Sequence, residues 1–178
     1  MYIPAHAGIG WLLAEIGKGD SVFRRFVFLA AILPDIDGAT YLFGFALSLN
    51  QHHIWAHNIL FSLIVSTLAG VCCIRIRFKA FLFTQIAFYT HFFGDYCFTQ
   101  WPIAFFYPFS DKLLFNGHAY ALWDPLNTYF GYFGCLLIII LSVIYKRTPL
   151  EVLSPRLDLK LVSYCARAWA KLIRNNNA

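Results

Sequence analysis

Apolar residues fall along the chain in about five long runs, and the polar residues that interrupt them carry most of the information. Tyr2 to Gly17 is short and holds Gly8 and Gly10. Phe26 to Leu49 is longer but broken by Pro34, Asp35, Asp37 and Gly38. His57 to Ile74 has no Asp, Glu, Lys or Arg in its 18 residues, which meets the minimal spanning length of about 17. Ala80 to Phe98 carries one charged residue, Asp95, and Asn127 to Tyr145 is the cleanest run, with Tyr and Phe near its start. Rings of that kind favour a membrane interface. The pattern predicts an all-α, polytopic membrane bundle of about four to five membrane helices. Between Thr99 and Asp124 the chain is aromatic and proline-rich, with Asn116-Gly117 as a turn signal, and a folded loop or re-entrant cap is expected. Asp124, ahead of Pro125, reads as the cap of the last long helix.

Composition strengthens the membrane reading. Sixty per cent of the 178 residues are hydrophobic and 13% are charged, against a usual charged share of about 25%. A soluble domain of this size needs a charged surface that this chain cannot supply. The net charge of +5 gathers at Arg75, Arg77 and Lys79, and again between Lys146 and Arg174. That is the distribution expected of cytoplasmic loops rather than of a nucleic-acid-binding face, so no nucleic acid is expected as partner. With Lys18, Arg24 and Arg25 on the same side, the C-terminus is cytoplasmic, the Thr99–Asp124 segment lies outside, and the N-terminus is outside or embedded. Residues 1–147 form the embedded domain and residues 148–178 a basic cytoplasmic tail, in which Leu157 to Ile173 forms an amphipathic helix on the inner leaflet. The five cysteines form no CxxC pair and read as small hydrophobes, with Cys97 closest to the candidate chemistry. No cleavable signal peptide is evident, since His6 and Glu15 interrupt the first run.

At about 1.5 Å of rise per residue, depth follows from the distance to each basic flank. His6 is twelve residues from Lys18, Asp35 ten from Arg25 and His91 twelve from Lys79. Asp95 is one turn higher and His57 opens its run at the outer end. Five metal-competent side chains therefore come from four apolar segments, in the middle-to-outer half of the bundle. A carboxylate in hydrocarbon costs about 2.5–3.5 kcal/mol on insertion scales, and a bound divalent cation offsets that while accepting neutral imidazole as partner. In HFFGD, His91 and Asp95 share a helix face. In LPDIDG, Pro34 and Gly38 present Asp35 and Asp37 from irregular backbone. In QHHIWAHN, His57 is the better ligand, whereas His52 and His53 read as an interfacial loop; His118 is a weaker candidate still.

These pieces in this order resemble the membrane-bound metal-dependent hydrolase family that includes the LexA-regulated inner-membrane proteins of bacteria. The matching features are AHAGIGWLLA, LPDID, the histidines His52 and His57 five apart, HFFGD, YPFSD and WDPLN, over roughly residues 3 to 145. Where the family usually has Arg-Gly after the first histidine of the pair, Thr before the second and Ser after it, this chain has His53-Ile54, Ala56 and Asn58. The order of His, Asp, His and HxxxD is also similar to that of zinc-dependent phospholipase C, which implies a phosphodiester substrate by analogy. The resemblance implies a location in the bacterial inner membrane.

The function expected is hydrolysis of a lipid or lipid-linked phosphoester by metal-activated water. Asp35, His57, His91 and Asp95 would hold a divalent ion, for which a mixed His/Asp set favours zinc. His6 would complete that site or a second one, and Asp37 would act as general base or as partner to a ligand histidine. The rival is a non-catalytic metal-binding or ion-transport protein using the same residues as a pathway. A transporter would line a whole path with polar residues, and the cytoplasmic half of the runs looks dry.

Overall fold

The computed structural model describes residues 1–38, 53–115, 117, 120–121 and 123–176. Within them the chain is helical: α1 (Ile3–Ile16), α2 (Ser21–Ala30), α3 (Ile59–Cys72), α4 (Arg77–Phe98), α5 (Pro125–Tyr145) and α6 (Pro155–Asn176). Short 3-10 turns at Leu33–Asp35, Ile74–Ile76 and Pro149–Val152 join them. The only extended pairing among the described residues is an isolated antiparallel bridge between Ile103 and Leu114, inside the Thr99–Asp124 segment.

Local chemistry sets where helices start. Asp20 accepts a hydrogen bond from the Phe23 N–H at 2.9 Å and opens α2, and Asn58 accepts from the Phe61 N–H at 2.8 Å and opens α3. Asp124 accepts from the Leu126 N–H at 2.9 Å, ahead of a proline in the first turn, and so caps α5 as expected.

Five of these helices pack as one bundle. Glycines let α1 lie directly on α5: a Cβ added at Gly8 would meet the Gly134 Cα at 2.7 Å, and one added at Gly134 would strike the Pro4 carbonyl. Backbone approach through small residues is how helices associate where lipid removes the hydrophobic drive between them. The core around this contact contains Trp11, Ala14, Phe23, Val27 and Phe88, all fully buried. Helices α3 and α4 are joined by polar groups instead. The Ser66 hydroxyl donates to Gln85 Oε1 at 2.7 Å, and Gln85 Nε2 donates to Ser62 Oγ and to the Tyr89 hydroxyl, both at 3.0 Å.

One end of the bundle gathers the basic residues. Arg24 makes a two-pronged bond to Glu151, at 2.8 and 2.5 Å, which ties α2 to the turn before α6. Arg147 lies 3.8 Å from Glu15 at the end of α1, and Lys79 Nζ stands 5.7 Å from the Phe23 ring. All three basic clusters therefore share an end. The flanks of the bundle expose large apolar side chains, among them Leu68, Val71, Phe93, Phe133, Ile139 and Val143, an apolar surface far beyond what a soluble monomer shows.

Two expectations need adjustment. Among the described residues only α5 is by itself long and apolar enough to cross a membrane, and α3 and α4 qualify together as a pair bent by 109°. The run from His57 to Ile74 is not one unbroken helix: α3 has 14 residues, and the chain turns at Ile74–Ile76. The four to five membrane helices read from the runs are thus not confirmed: the described residues offer one clear span candidate and one bent pair. The half of the bundle toward the basic end is also not dry, since Thr84 and Gln85 are buried there and Ser66 bonds to Gln85. The tail does form a helix, Pro155–Asn176.

The α1–α5 contact makes a testable claim. Gly134→Ala should lower the melting temperature of the detergent-purified protein, by the equivalent of about 1–3 kcal/mol for overpacking. Gly131→Ala, on the same helix with its nearest neighbour at 3.4 Å, should change it little. Equal melting temperatures for the two variants would show that the close approach is not what holds α1.

Candidate metal centre

Helix α4 supplies the first pair. His91 and Asp95, four residues apart, lie on its inner face with His91 Nε2 at 3.0 Å from Asp95 Oδ2. Asp35 ends the 3-10 turn after α2 and places Oδ1 at 3.8 Å from His91 Nε2. His57 comes from the irregular segment before α3. Asn58 fastens that segment, its Nδ2 donating to the carbonyls of Ile54 and Trp55 at 2.9 and 2.8 Å. The aromatic segment holds it from the other side, where the Ala104 N–H donates to the His53 carbonyl and the Ile59 N–H to the Phe105 carbonyl. Asp35, His57, His91 and Asp95 each offer one ligand atom, and the four atoms lie within 4.8 Å of one another. His57, His91 and Asp95 are at most 1% exposed.

The proton positions follow from the outward partners. His91 Nδ1 lies 2.8 Å from the Ala31 carbonyl, which can only accept, so Nδ1 carries the proton. His57 Nδ1 lies 3.1 Å from Asp37 Oδ2, and it too donates outward. In the neutral rings both Nε2 atoms then hold lone pairs. Those two atoms face each other at 3.1 Å, with Asp95 Oδ2 at 3.0 and 3.3 Å. Three lone pairs converging in a buried pocket call for positive charge among them, either a proton on one ring nitrogen or a bound cation. Asp35 Oδ2 adds a buried oxygen with no hydrogen-bond partner among the described residues. The donor set therefore fits a divalent ion, and an imidazole held by an outer carboxylate or carbonyl is the usual support of a metal ligand.

Residues 1–165 match the family described as YdjM inner membrane protein. The chain belongs to this family. That makes it a membrane protein, in accord with its exposed apolar flanks. Comparison with curated proteins and with solved structures gives no match, so a likeness of this YdjM-family chain to hydrolases or to phospholipase C is not shown by relatives.

All six residues singled out in the sequence come together, though not in equal roles. His6 lies on the far side of Asp95, its Nε2 at 3.2 Å from Oδ1 and its ring stacked on His91 at 3.8 Å, outside the group of four. The Met1 amino group also contacts that oxygen. Asp37 uses both oxygens, accepting from the Ala56 N–H at 2.9 and 3.1 Å and from His57. Of its two expected roles, the geometry matches the partner of a ligand histidine. His53 departs from expectation. It is buried rather than interfacial, stacks near His57 with centroids 4.0 Å apart, and brings Nε2 to 3.6 Å from Asp95 Oδ2. Its backbone has φ 82°, a conformation rare outside glycine that clusters at functional sites. Spacing could not reveal this, because His53 and His57 lie on a turn and not on a helix. His52 and His118 lie outside the described residues, and Cys97 is half-buried and takes no part in the group.

If these residues share an ion, His57→Ala, His91→Ala and Asp95→Ala should each purify with little or no bound metal and lose the metal-dependent part of their thermal stability. His53→Ala, one step further out, should keep most of its metal. Metal content in all four variants equal to that of the unaltered protein would end the shared-site account.

Proposed function

We propose that the protein is a multi-pass inner-membrane hydrolase that uses a divalent metal, zinc by its donor set, to cleave a lipid or lipid-linked phosphoester. The observation that carries the reading is the convergence of His57 Nε2, His91 Nε2 and Asp95 Oδ2 with their protons directed outward. His57, His91, Asp95 and Asp35 would hold the ion, which when bound supplies Lewis acidity and lowers the pKa of water from 15.7 toward about 7. His6, on the other oxygen of Asp95, would complete that site or serve a second one. Asp37 fixes the tautomer of His57, and His91 is fixed by the end of α2. Asp35 Oδ2, a buried oxygen without a hydrogen-bond partner among the described residues, would accept the proton of the attacking water.

The gathering of the basic clusters at one end supports a cytoplasmic placement of that end by the positive-inside rule, with α6 lying as a basic amphipathic helix on the inner leaflet. The site then opens toward the outer leaflet, where a lipid head group meets it. Spanning by α1 and α2, shorter than a full membrane crossing, would be completed by local thinning of the bilayer.

One observation favours a second reading. The Ser62–Ser66–Gln85 group continues polar character from the site toward the basic end, as an ion path would. Its hydrogen bonds are closed among themselves and to the Tyr89 hydroxyl, however, which is the arrangement of helix–helix contact in lipid.

Two isosteric variants separate the roles. Asp37→Asn should weaken metal affinity about 10–100-fold, the usual scale for an outer partner of a ligand histidine, with activity recovered in excess metal. Asp35→Asn keeps one carbonyl oxygen as a neutral ligand, so it should bind metal more weakly and, when saturated with metal, still lose roughly 100-fold or more in rate, the scale of a general base. The assay is metal-dependent cleavage of phospholipids and lipid-linked phosphates by purified protein. Ion flux in proteoliposomes, with no cleavage of any such ester, would replace the hydrolase by the transporter.

A further inference from the structure

A cavity of about 420 Å³ lies between α1, α4 and α5, on the side of α4 next to His91 and Asp95. Its walls are Ile9, Ile86, Thr90, Phe93, Phe130 and Phe133. They offer almost no polar recognition. The Thr90 hydroxyl is engaged with the Ala87 carbonyl at 2.8 Å, and the neighbouring Tyr89 hydroxyl with Gln85. An occupant must therefore be apolar where it touches these walls. Phe93 and Phe133, which flank the cavity, are 67% and 57% exposed on the apolar flank of the bundle, so the occupant comes from the lipid side.

The inner end is different. Met1 and Gly94 belong to the cavity, and a Cβ added at Gly94 would meet the Met1 Cε at 3.0 Å and the His6 Cε1 at 3.2 Å. Met1 and Gly94 form the floor of the cavity, and His6, whose Nε2 is 3.2 Å from Asp95 Oδ1, lies directly behind Gly94. An apolar channel open to lipid at one side and abutting a His/Asp cluster at the other fits an amphiphile. We infer that the cavity between α1, α4 and α5 is the binding groove for one acyl chain of a membrane lipid, whose head group is thereby presented at His6 and Asp95. The inference rests on the hydrolase reading for what happens to that head group, but the groove can be tested without catalysis.

The probe is a phosphatidylglycerol carrying a diazirine in one acyl chain, mixed into phosphatidylethanolamine–phosphatidylglycerol vesicles holding the full-length protein. After photolysis, adducts are mapped by peptide mass spectrometry, with and without chelator. Adducts should concentrate on Ile86, Thr90, Phe93, Phe130 and Phe133, several-fold above those on Leu136, Ile139 and Ile140 of the same helix pair's open flank. Thr90→Trp, which fills the groove, should remove this excess while bound metal is unchanged. If that variant does not fold, the map of the unaltered protein decides alone. Adducts spread evenly over groove and flank would reduce the cavity to ordinary lipid contact. Protein–protein cross-links through Phe133 in place of lipid adducts would assign it to a second copy of the chain. Either result overturns the groove. Groove adducts that survive chelation, in a protein that cleaves no ester, would keep the acyl site and discard the hydrolase. Ester cleavage without groove adducts would do the reverse.

Discussion

Two imidazole nitrogens and a carboxylate oxygen, each presenting a lone pair to the same small volume, make up the interaction on which the structure turns. Left to themselves such groups repel, and in an apolar bundle neither water nor salt relieves them. The protein nevertheless directs them inward from outside. The Ala31 carbonyl at the end of α2 takes the proton of one ring, and Asp37 takes that of the other. Each of those outer partners comes from a different part of the chain than the histidine it orients. Two separate elements are thereby committed to the same centre.

The rest of the fold can be understood as what brings those elements within reach. Helices α1 and α2 have only 14 and 10 residues, too few to carry much stability by themselves. Their place comes from contact: Gly8 on Gly134 sets α1 against α5, and the Arg24–Glu151 pair anchors the start of α2. Because α1 carries His6 and α2 leads to Asp35, these contacts help to set the geometry of the site. The hydrogen bonds of Gln85 with Ser62 and Ser66 do the same for α3 and α4, holding His57 opposite His91. The groove beside α4 belongs to this logic as well. It lies beside the glycine contact of α1 with α5 and is lined by aromatic side chains of α4 and α5.

What the sequence made legible was whatever depends on one helix or on the energetics of charge in lipid. His91 and Asp95 were readable because four residues bring side chains to one helical face. Asp35, His57 and His6 were readable because a carboxylate or imidazole in an apolar run demands a partner. His53 was not, because its place depends on a turn with φ 82° and on the backbone bond from Ala104. Nor was the bend after Cys73 readable, since an apolar run carries no mark of where its helix stops. The division of labour between Asp35 and Asp37, two residues apart, required coordinates: one has an oxygen without a partner among the described residues, and the other has none to spare.

The central claim is chemical, that these lone pairs enclose a cation and that imidazole and carboxylate are its ligands. Metal-edge X-ray absorption on protein purified without added chelator reads this directly. The account expects a divalent metal bound through nitrogen and oxygen at about 2.0–2.2 Å, with the outer-shell scattering of coordinated imidazole. Protein that carries no metal and acquires none on titration, or a metal bound through sulfur at about 2.3 Å, would contradict it.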